Sequence, residues 1–445
     1  MDFATQPVDP TSAAALAAQD LRLGLVDRRD REALAAWFQA DARGFYASRL
    51  TDEQLDVRLE HAAHRRATGV WDAGSADPLI PVATVSTWPA ALTVPATASS
   101  IAPAPTIDAW AIASVTVAPT HRRRGVARAL LEAELRTAHR LGMPLAMLTV
   151  SEATIYGRFG FAPAAFVADL TIDTRRVQWS GPRASGILHF IGIDELREQA
   201  RPVYEAARRT RPGEIELDSM LWEALIGALG EGELDPKNLR AVRYDDDSGV
   251  AQGFVLYRVA GGESDFTMHT VHVLHLSAAT DEAYAALWRY VLELDLVTTV
   301  EAPLRSVDEP VLWMVGDRRA ARVRHADHLW LRILDLGATL TARGYASPGR
   351  IALDVADPLG FAEARVLLTV GNDGRGTVEP LTSDVPADAA HLALNVGDLA
   401  GLYLGGTHAS TLVRAGRVTE LRPSSADAMD AAFRSPRTPW LSTWF

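Results

Sequence analysis

The sequence of 445 residues contains no cysteine. This absence excludes a disulfide framework, a thiolate nucleophile and any metal site that depends on cysteine ligands. It is compatible with a reducing compartment, where disulfides are rare. We expect no metal cofactor.

Long apolar runs are also missing from the chain. No stretch of about 18 apolar residues occurs, whereas a membrane-spanning helix needs roughly that length. The segment from Met1 to Asp20 lacks the basic region followed by an apolar region that is typical of a secretory signal. We therefore expect a cytoplasmic protein with no membrane span.

Basic residues are outnumbered by acidic ones. The chain has 44 lysine and arginine residues against 56 aspartate and glutamate residues, which gives a formal net charge of −12. This balance disfavours nucleic acid as a partner and favours the attraction of cationic small molecules. The hydrophobic content of 48% is typical of a globular protein with sizeable cores, and the length predicts about three domains.

The most informative segment, Val115–Arg128, predicts an anion-binding site. A β-branched strand stops at Pro119, and a basic loop containing Gly125 then opens into a long helix. The first N–H groups of a helix lack internal partners and lie at its positive end, so they can bind a pyrophosphate. Glycine allows close backbone approach or a positive φ angle. Nearby positive charge comes from Arg122, Arg123, Arg124 and Arg128.

The spacing Arg122-x-x-Gly125-x-Ala127 resembles the acyl-CoA loop of the GNAT acetyltransferases. The pattern is short, and a basic surface turn before an ordinary helix is the alternative. The flanking elements favour the cofactor site. An amphipathic helix follows the loop and ends at Gly142-Met143-Pro144, and Leu145–Val150 is then predicted to be a buried strand. A strand, a phosphate loop, a helix and a second strand form a wedge that can bind coenzyme A.

A candidate general acid follows that second strand. Tyr156 lies in the segment Ser151–Phe161, where the thioester end of the cofactor is expected. With ordinary pKa values of about 10 for tyrosine and about 8.5 for a thiol, protonation of the leaving thiolate costs about 2 kcal/mol. That cost is small beside a catalytic barrier. The alternative is a structural tyrosine packed under the following turn.

The order of elements predicts three α+β units. Up to Val167, the pattern is a strand, two helices, antiparallel strands, the phosphate helix, a further strand and a final helix, which is the GNAT order; the second helix is predicted over Thr51–Arg66. A similar order recurs from Ile187, but the loop Leu276–Glu282 has no glycine, no arginine and two acids, so it would repel pyrophosphate. We interpret this unit as a degenerate GNAT-like domain that binds no coenzyme A, with an unrelated α+β domain as the alternative. A third unit begins near Asp327.

Together, these motifs resemble those of the Eis (enhanced intracellular survival) family of N-acetyltransferases. In the first unit, the resemblance lies in Val115–Arg128 and in Ser151–Gly160. Further matching segments follow in order along the chain: Tyr257-Arg258, Ala286–Arg289, Leu329–Ile333, Ala342–Tyr345 and Leu402–Gly406. The similarity therefore extends over all three units.

The resemblance implies an α+β architecture of two tandem GNAT-like domains, each a mixed sheet with flanking helices, followed by a sterol-carrier-protein-like domain. We expect these domains to span residues 1–168, 169–326 and 327–445. The resemblance also implies a homohexamer built as a trimer of dimers. The implied activity is acetyl-CoA-dependent acetylation of amines on aminoglycosides, often at several positions, with polyamines and protein lysines as alternative acceptors.

The resemblance also implies roles for individual residues. The proton donor matches Tyr156, and the base is the α-carboxylate of the C-terminal aromatic residue, here Phe445. An α-carboxyl with a pKa near 3.5 is a feeble base in water, so it must act by desolvation or by orienting the ammonium through water. Cofactor contacts are expected at Val115, Thr116, Val117, Arg123, Arg124, Gly125, Val126, Ala127, Arg128, Ser151 and Glu152.

The acceptor site is not predicted. Some relatives carry an acid where this chain has Trp444, so the residues that bind a cationic substrate stay open. A non-catalytic lipid carrier or scaffold is a further alternative for the whole chain. The intact segment Arg123–Arg128 and the presence of Tyr156 argue against it.

Overall fold

The computed structural model describes residues 2–62, 64–97, 103–229 and 236–445. Within these residues, the strands form one mixed sheet of 12 strands and a second sheet of 5 strands, with helices packed against both. This arrangement agrees with the predicted α+β class. In the same ranges, no helix combines the length and the apolar composition that crossing a membrane requires.

The N-terminal unit combines helices with strands that are mostly antiparallel. The final helix predicted before Val167 is wrong, because this segment belongs to the strand Ala162–Asp173. Thr51 caps the third helix through a capping box with Gln54, as its sequence predicts. The predicted extension of this helix to Arg66 is wrong, because Arg66 opens a strand that pairs with a neighbour on each edge. The elements are α1 (Pro10–Ala17), β1 (Leu21–Leu25), α2 (Arg31–Gly44), α3 (Asp52–His61), β2 (Arg66–Asp72), β3 (Ala83–Thr93), β4 (Thr106–Val117), α4 (Val126–Arg140), β5 (Leu145–Thr149) and β6 (Ala162–Asp173).

The middle unit repeats this alternation of helices and strands. Its first strand begins at Ile187, where the sequence predicts that the order recurs; a long helix follows, and Thr280 caps a later helix. The elements are β7 (Ile187–Ile191), α5 (Ile193–Arg208), α6 (Ser219–Leu225), β8 (Leu239–Asp245), β9 (Ala251–Gly261), β10 (His269–Ala278), α7 (Asp281–Leu292), β11 (Val297–Arg305) and β12 (Ala321–Ile333).

The C-terminal unit contains the smaller sheet, in the order β15-β14-β13-β16-β17. A tight turn at Gly374, which has a positive φ of 74°, leads into its edge strand β15. The elements are α8 (Leu336–Ala342), β13 (Gly349–Ala356), β14 (Ala364–Val370), β15 (Gly376–Pro380), β16 (Ala390–Asn395), α9 (Val396–Tyr403), α10 (Ala409–Arg414), β17 (Thr419–Glu420) and α11 (Ser425–Phe433).

Strand β12 is inserted between two strands of the N-terminal unit. The order of the large sheet is β1-β2-β3-β4-β5-β12-β6-β11-β10-β9-β8-β7. β12 runs antiparallel to β5, with Leu329 opposite Thr149, and antiparallel to β6 on its other edge. The predicted boundary between residues 326 and 327 falls inside this strand. Within β12, only the residues from His328 onward are buried. The apolar pattern in the sequence therefore starts well after the first residue of the strand.

One apolar core joins the centre of the large sheet to the C-terminal unit. It contains Leu145 and Met147 on β5, Leu331 on β12, and Leu353 and Leu399 from the C-terminal unit. Burial of apolar surface is the main driving force for such packing. The C-terminal unit is therefore held against the two strands, β5 and β12, at the middle of the large sheet.

A buried ion pair strengthens this junction. Arg332 on β12 donates to both carboxylate oxygens of Asp357, at 2.7 and 2.8 Å, and both side chains are 0% exposed. Arg332 also donates to the carbonyl oxygen of Phe159 at 2.6 Å. Gly160 follows with a φ of 85°, and a Cβ there would lie 2.7 Å from Nε of Arg332. Glycine is therefore required where the two units meet.

We predict that Asp357→Ala lowers the free energy of unfolding by about 3–5 kcal/mol, because it leaves the Arg332 charge buried without its partner. Asp357 also accepts the N–H groups of Leu359 and Ala362, so its turn should loosen as well. Urea denaturation measures the change. The double variant Arg332→Met/Asp357→Leu is the control and should recover part of the loss. A single variant as stable as the wild type would contradict this prediction.

Candidate active site

Strands β4 and β5 are paired over a short stretch and then diverge. Their parallel pairing covers Ala109–Ala111 against Leu145–Met147. Beyond it, Ser114 has a positive φ of 55° and the register between β3 and β4 shifts, as at a β-bulge that bends a strand. β5 instead continues beside β12 as far as Thr149. The two strands leave a wedge between them, with Val115–Val117 on one side.

Helix α4 begins just after the diverging end of β4. Gly125 precedes it with a φ of 75°, and no side chain caps this end. A Cβ on Gly125 would meet nothing within 4 Å, so the backbone angle, not crowding, accounts for the glycine. The backbone hydrogen bond that enters the first turn runs from Ala129 N–H to the carbonyl of Gly125. The N–H groups of Val126–Arg128 therefore have no intrahelical partner.

The arginines of this loop differ in their contacts. Arg124 donates to the carbonyl oxygen of Gln19 at 3.0 Å, which ties the loop to the end of α1. Arg123 and Arg128 are exposed, and neither forms an ion pair with any residue that the structure describes. Beside Arg124 and Arg128, a cleft of about 210 Å³ opens between α1 and α4. Two of the predicted cofactor arginines are thus available to an anion.

Tyr156 lies in the turn that follows β5. Its side chain is only 7% exposed, and its ring packs edge-on against Phe161 with centroids 6.1 Å apart. Burial, with a smaller contribution from the negative charge of Glu152, raises the pKa of Tyr156 to about 12. Its hydroxyl forms no hydrogen bond within the described ranges. The tyrosine is therefore protonated at neutral pH and can donate. Ser151 and Glu152 are exposed in the same turn.

The C-terminal segment enters the molecule and ends beside β5. Leu441 and Ser442 are buried. Oγ1 of Thr149, the last residue of β5, lies 2.6 Å from the terminal oxygen of Phe445. The N–H of Phe445 donates back to the same Oγ1 at 3.3 Å. The backbone oxygen of Phe445 therefore lies where β5 ends and the wedge has opened.

Three segments of the chain match known domain families. Residues 31–164 match an acetyltransferase (GNAT) domain, and residues 213–333 match a second model of the same description. Residues 336–442 match a sterol carrier protein domain. These matches confirm the predicted order of two GNAT-like domains followed by a sterol-carrier-protein-like domain.

Relatives extend the similarity along most of the chain. An uncharacterized N-acetyltransferase of Streptomyces avermitilis is 35% identical over 92% of this chain and 96% of its own length. The N-acetyltransferase Eis of Mycobacterium tuberculosis is 33% identical over 72% of this chain and 77% of its own length. The chain belongs to the Eis family of N-acetyltransferases.

Solved structures agree with this family assignment. The crystal structure of Eis1 from Mycobacterium abscessus aligns with a TM-score of 0.77 and 28% identity, covering 96% of this chain and 100% of that chain. A GCN5-related N-acetyltransferase from Kribbella flavida aligns with a TM-score of 0.71 at 24% identity, covering 96% and 98% of the two chains, which shows a shared fold. The predicted family and enzyme class are confirmed.

In this Eis-family enzyme, a stack of side chains supports the terminal residue. The ring of Phe445 meets the buried Trp88 edge-on at 5.9 Å, and the guanidinium of Arg65 lies 3.7 Å from the Trp88 ring. Arg65 donates to both oxygens of Asp218, at 2.6 and 2.9 Å. Burial alone would raise the pKa of Asp218, but the bonds from His64 and Arg65 hold it well below its usual range. The carboxylate stays ionised and keeps Arg65 over Trp88.

None of Trp88, Arg65 and Asp218 was predicted as a functional residue. Arg65 was assigned to the end of a helix that is in fact shorter. Asp218 lies 153 residues beyond Arg65 in the sequence, so no local spacing connects the two. Thr149 likewise was predicted only as a residue of the strand Leu145–Val150. Only the folded chain brings these side chains to the terminal phenylalanine.

The middle domain of the Eis-family enzyme has a comparable gap, but side chains of this domain and of the C-terminal segment fill it. β10 and β11 pair in parallel only near their starts. Arg305, which is 1% exposed, lies beyond that pairing and donates to the carbonyl of Leu276 at 3.4 Å. The indole of Trp440 donates to the carbonyl of Leu304 at 2.8 Å. Burial and the charge of Arg305 lower the pKa of His275 to about 3. This filling favours the interpretation of a domain that binds no coenzyme A.

Proposed function

We propose that this enzyme acetylates amines of aminoglycosides with acetyl-CoA as the donor. In this proposal Tyr156 is the general acid, and the terminal carboxylate of Phe445 is the general base. The main support is the position of Phe445, whose carboxylate lies beside Thr149 at the end of β5. The turn that carries Tyr156 leaves the same end of β5. The location of both residues at this end of β5 supports the proposed pairing of an acid with a base.

The residues around the wedge fit coenzyme A. The free N–H groups of Val126–Arg128 would bind the diphosphate at the positive end of α4, and Arg123 and Arg128 would add charge. The unpaired edge of Val115–Val117 offers backbone groups to the amides of the pantetheine arm. Acetyl-CoA supplies the acyl group when bound. The proposed contacts are Val115, Thr116, Val117, Arg123, Arg124, Gly125, Val126, Ala127, Arg128, Ser151 and Glu152.

The two proposed catalytic groups move one proton each. The Phe445 carboxylate accepts a proton from the substrate ammonium, directly or through a water molecule, and the resulting neutral amine attacks the thioester carbonyl carbon. As the C–S bond breaks, the Tyr156 hydroxyl donates a proton to the leaving sulfur, and the proton released by the new amide nitrogen restores that hydroxyl. An α-carboxyl has an ordinary pKa of about 3.5, so this role requires that desolvation strengthen it as a base or that it orient the ammonium through water.

The raised pKa of Tyr156 sets the energy of its step. A pKa of about 12 against about 8.5 for a free thiol makes the transfer uphill by about 5 kcal/mol. This is more than the 2 kcal/mol expected for an ordinary tyrosine. It still lies well inside the barrier of about 16 kcal/mol that corresponds to about ten turnovers per second. Burial therefore keeps Tyr156 protonated, while the cost of the proton transfer stays low enough for it to act as a general acid.

We predict that Tyr156→Phe lowers kcat by about 10²- to 10⁴-fold, the range typical for loss of a general acid. Affinity for acetyl-CoA should stay nearly unchanged, because the hydroxyl acts at the thioester end and not at the diphosphate. Steady-state rates and calorimetry with coenzyme A measure the two quantities. Tyr257→Phe, which removes a buried hydroxyl in the middle domain, is the matched control and should keep its turnover. Unchanged kcat in Tyr156→Phe would remove this residue from its role.

We predict that one glycine added after Phe445 abolishes most activity. The extension turns the carboxylate into an amide and moves the charge by about 3.8 Å. Phe445→Tyr keeps both an aromatic ring and the terminal carboxylate, so it should retain most of the rate. Release of free coenzyme A thiol reports the initial rates. Full activity of the extended protein would exclude the terminal carboxylate as the base.

The acceptor class is tested by competition between amines. The net charge of −12 attracts polycations by long-range steering, which suits aminoglycosides and also polyamines. We expect mass spectrometry of mixtures containing acetyl-CoA, aminoglycosides, spermidine and lysine peptides to show gains of whole acetyl groups first on the aminoglycosides. Faster acetylation of spermidine or of peptides would identify that amine, and not the aminoglycosides, as the preferred acceptor. No mass gain on any amine would favour the lipid-carrier alternative.

A further inference from the structure

The last residues of the chain lie beside two adjacent strands, β5 and β12. Thr149 on β5 contacts Phe445, and His328 on β12 contacts the carbonyl oxygen of Thr443. The two residues are close to each other, because Leu329 is paired with Thr149. A segment from the third domain is thus held by one strand of the first domain and one strand of the second.

Thr149 makes two hydrogen bonds to the terminal residue. Its hydroxyl accepts the N–H of Phe445 at 3.3 Å and donates to a terminal oxygen at 2.6 Å. A threonine hydroxyl has one hydrogen and two lone pairs, so it can form both bonds at once. The shorter distance is typical of a hydroxyl bonded to a charged carboxylate. One oxygen of the terminal carboxylate is therefore held at a defined place.

The segment before Phe445 is anchored without Thr149. The N–H of Trp440 donates to the carbonyl of Pro212, and the indole donates to the carbonyl of Leu304, both at 2.8 Å. Nε2 of His328 lies 2.8 Å from the Thr443 carbonyl oxygen, so it must donate, and the imidazole meets the Trp444 ring edge-on at 4.5 Å. These contacts keep the segment docked. The two bonds of Thr149 act on the terminal residue alone.

We propose that Thr149 is a positioning residue for the terminal carboxylate of Phe445. Its hydroxyl holds the carboxylate in the orientation in which it accepts the proton of the substrate amine. This role rests on the proposed function of that carboxylate as the base. Thr149 itself neither gives nor takes a proton in the reaction. Its two bonds grip Phe445 at its N–H and at its carboxylate, so rotation of the terminal group is restricted.

Other ionisable groups lie near this segment. Glu214 accepts a hydrogen bond from Ser442 at 3.1 Å, and burial raises its pKa to about 7. Burial lowers the pKa of His328, and Arg65 lies over the Trp88 ring that contacts Phe445. Each of these groups is present in every Thr149 variant, so its contribution to the pH–rate profile is the same in all of them. The informative quantity is therefore the difference between variants at this one position.

The test compares Thr149→Val with Thr149→Ser in the full-length enzyme. Valine has the shape of threonine and suits a strand, but it cannot hold the carboxylate. We expect kcat to fall about 10- to 100-fold, the usual effect of losing a hydrogen bond to a charged group, with unchanged KM for acetyl-CoA. Loss of a donor to the carboxylate raises its pKa, so the acidic limb of the pH–rate profile should move up by about one pH unit. Serine keeps the hydroxyl and should retain the wild-type rate and profile.

The outcomes separate this role from mere packing. A valine variant with the wild-type kcat and pH profile would overturn the proposal, and so would a serine variant as impaired as valine. Thr149→Ala serves as a second hydroxyl-free variant and should match valine; melting temperatures confirm that each variant folds. If the glycine extension after Phe445 leaves activity intact, the role of the carboxylate as the base and the positioning role of Thr149 are both contradicted. If the extension inactivates the enzyme while valine does not, only the role of Thr149 fails.

Discussion

The docking of the C-terminal segment beside β5 and β12 is the contact on which the site depends. The first domain contributes Thr149, the second contributes His328, and the third contributes the terminal residue. Hydrogen bonds from Thr149 restrain the backbone of Phe445, and the Trp88 ring restrains its side chain. A shift of the third domain against the first would move Phe445 away from the end of β5. The domain arrangement is therefore part of the proposed chemistry.

Strand β12 makes this arrangement rigid. It fills the position between β5 and β6, so the sheet of the first domain is continuous only when the second domain has folded against it. Its Arg332 reaches Asp357 in the third domain and the carbonyl of Phe159 in the turn that follows Tyr156. One buried guanidinium thus ties the turn that follows Tyr156 to the domain that contains Phe445. Such a pair is costly to break on one side, because the remaining charge stays buried.

The two GNAT-like domains share one strand geometry but differ in what lies in the gap between the strands. Both contain parallel strands that pair briefly and then diverge. In the first domain, the helix after the gap starts at Gly125 with free N–H groups and exposed arginines. In the second, Arg305 and the indole of Trp440 lie at the gap, and the helix starts with two acids. The same Trp440 anchors the C-terminal segment. The filled gap of the second domain therefore helps to hold the C-terminal segment, which reaches the open gap of the first domain.

Local sequence determined the features that depend on neighbouring residues. The helix cap at Thr51, the glycine before α4 and the turn that carries Tyr156 follow from hydrogen bonds and periodicities within a few positions. Tertiary structure decided the insertion of β12, the support of Trp88 by Arg65 and Asp218, and the contact of Thr149 with Phe445, which lie 296 residues apart. Such partners leave no local signal, because their pairing depends on where whole strands pack, and many chain positions offer the same groups.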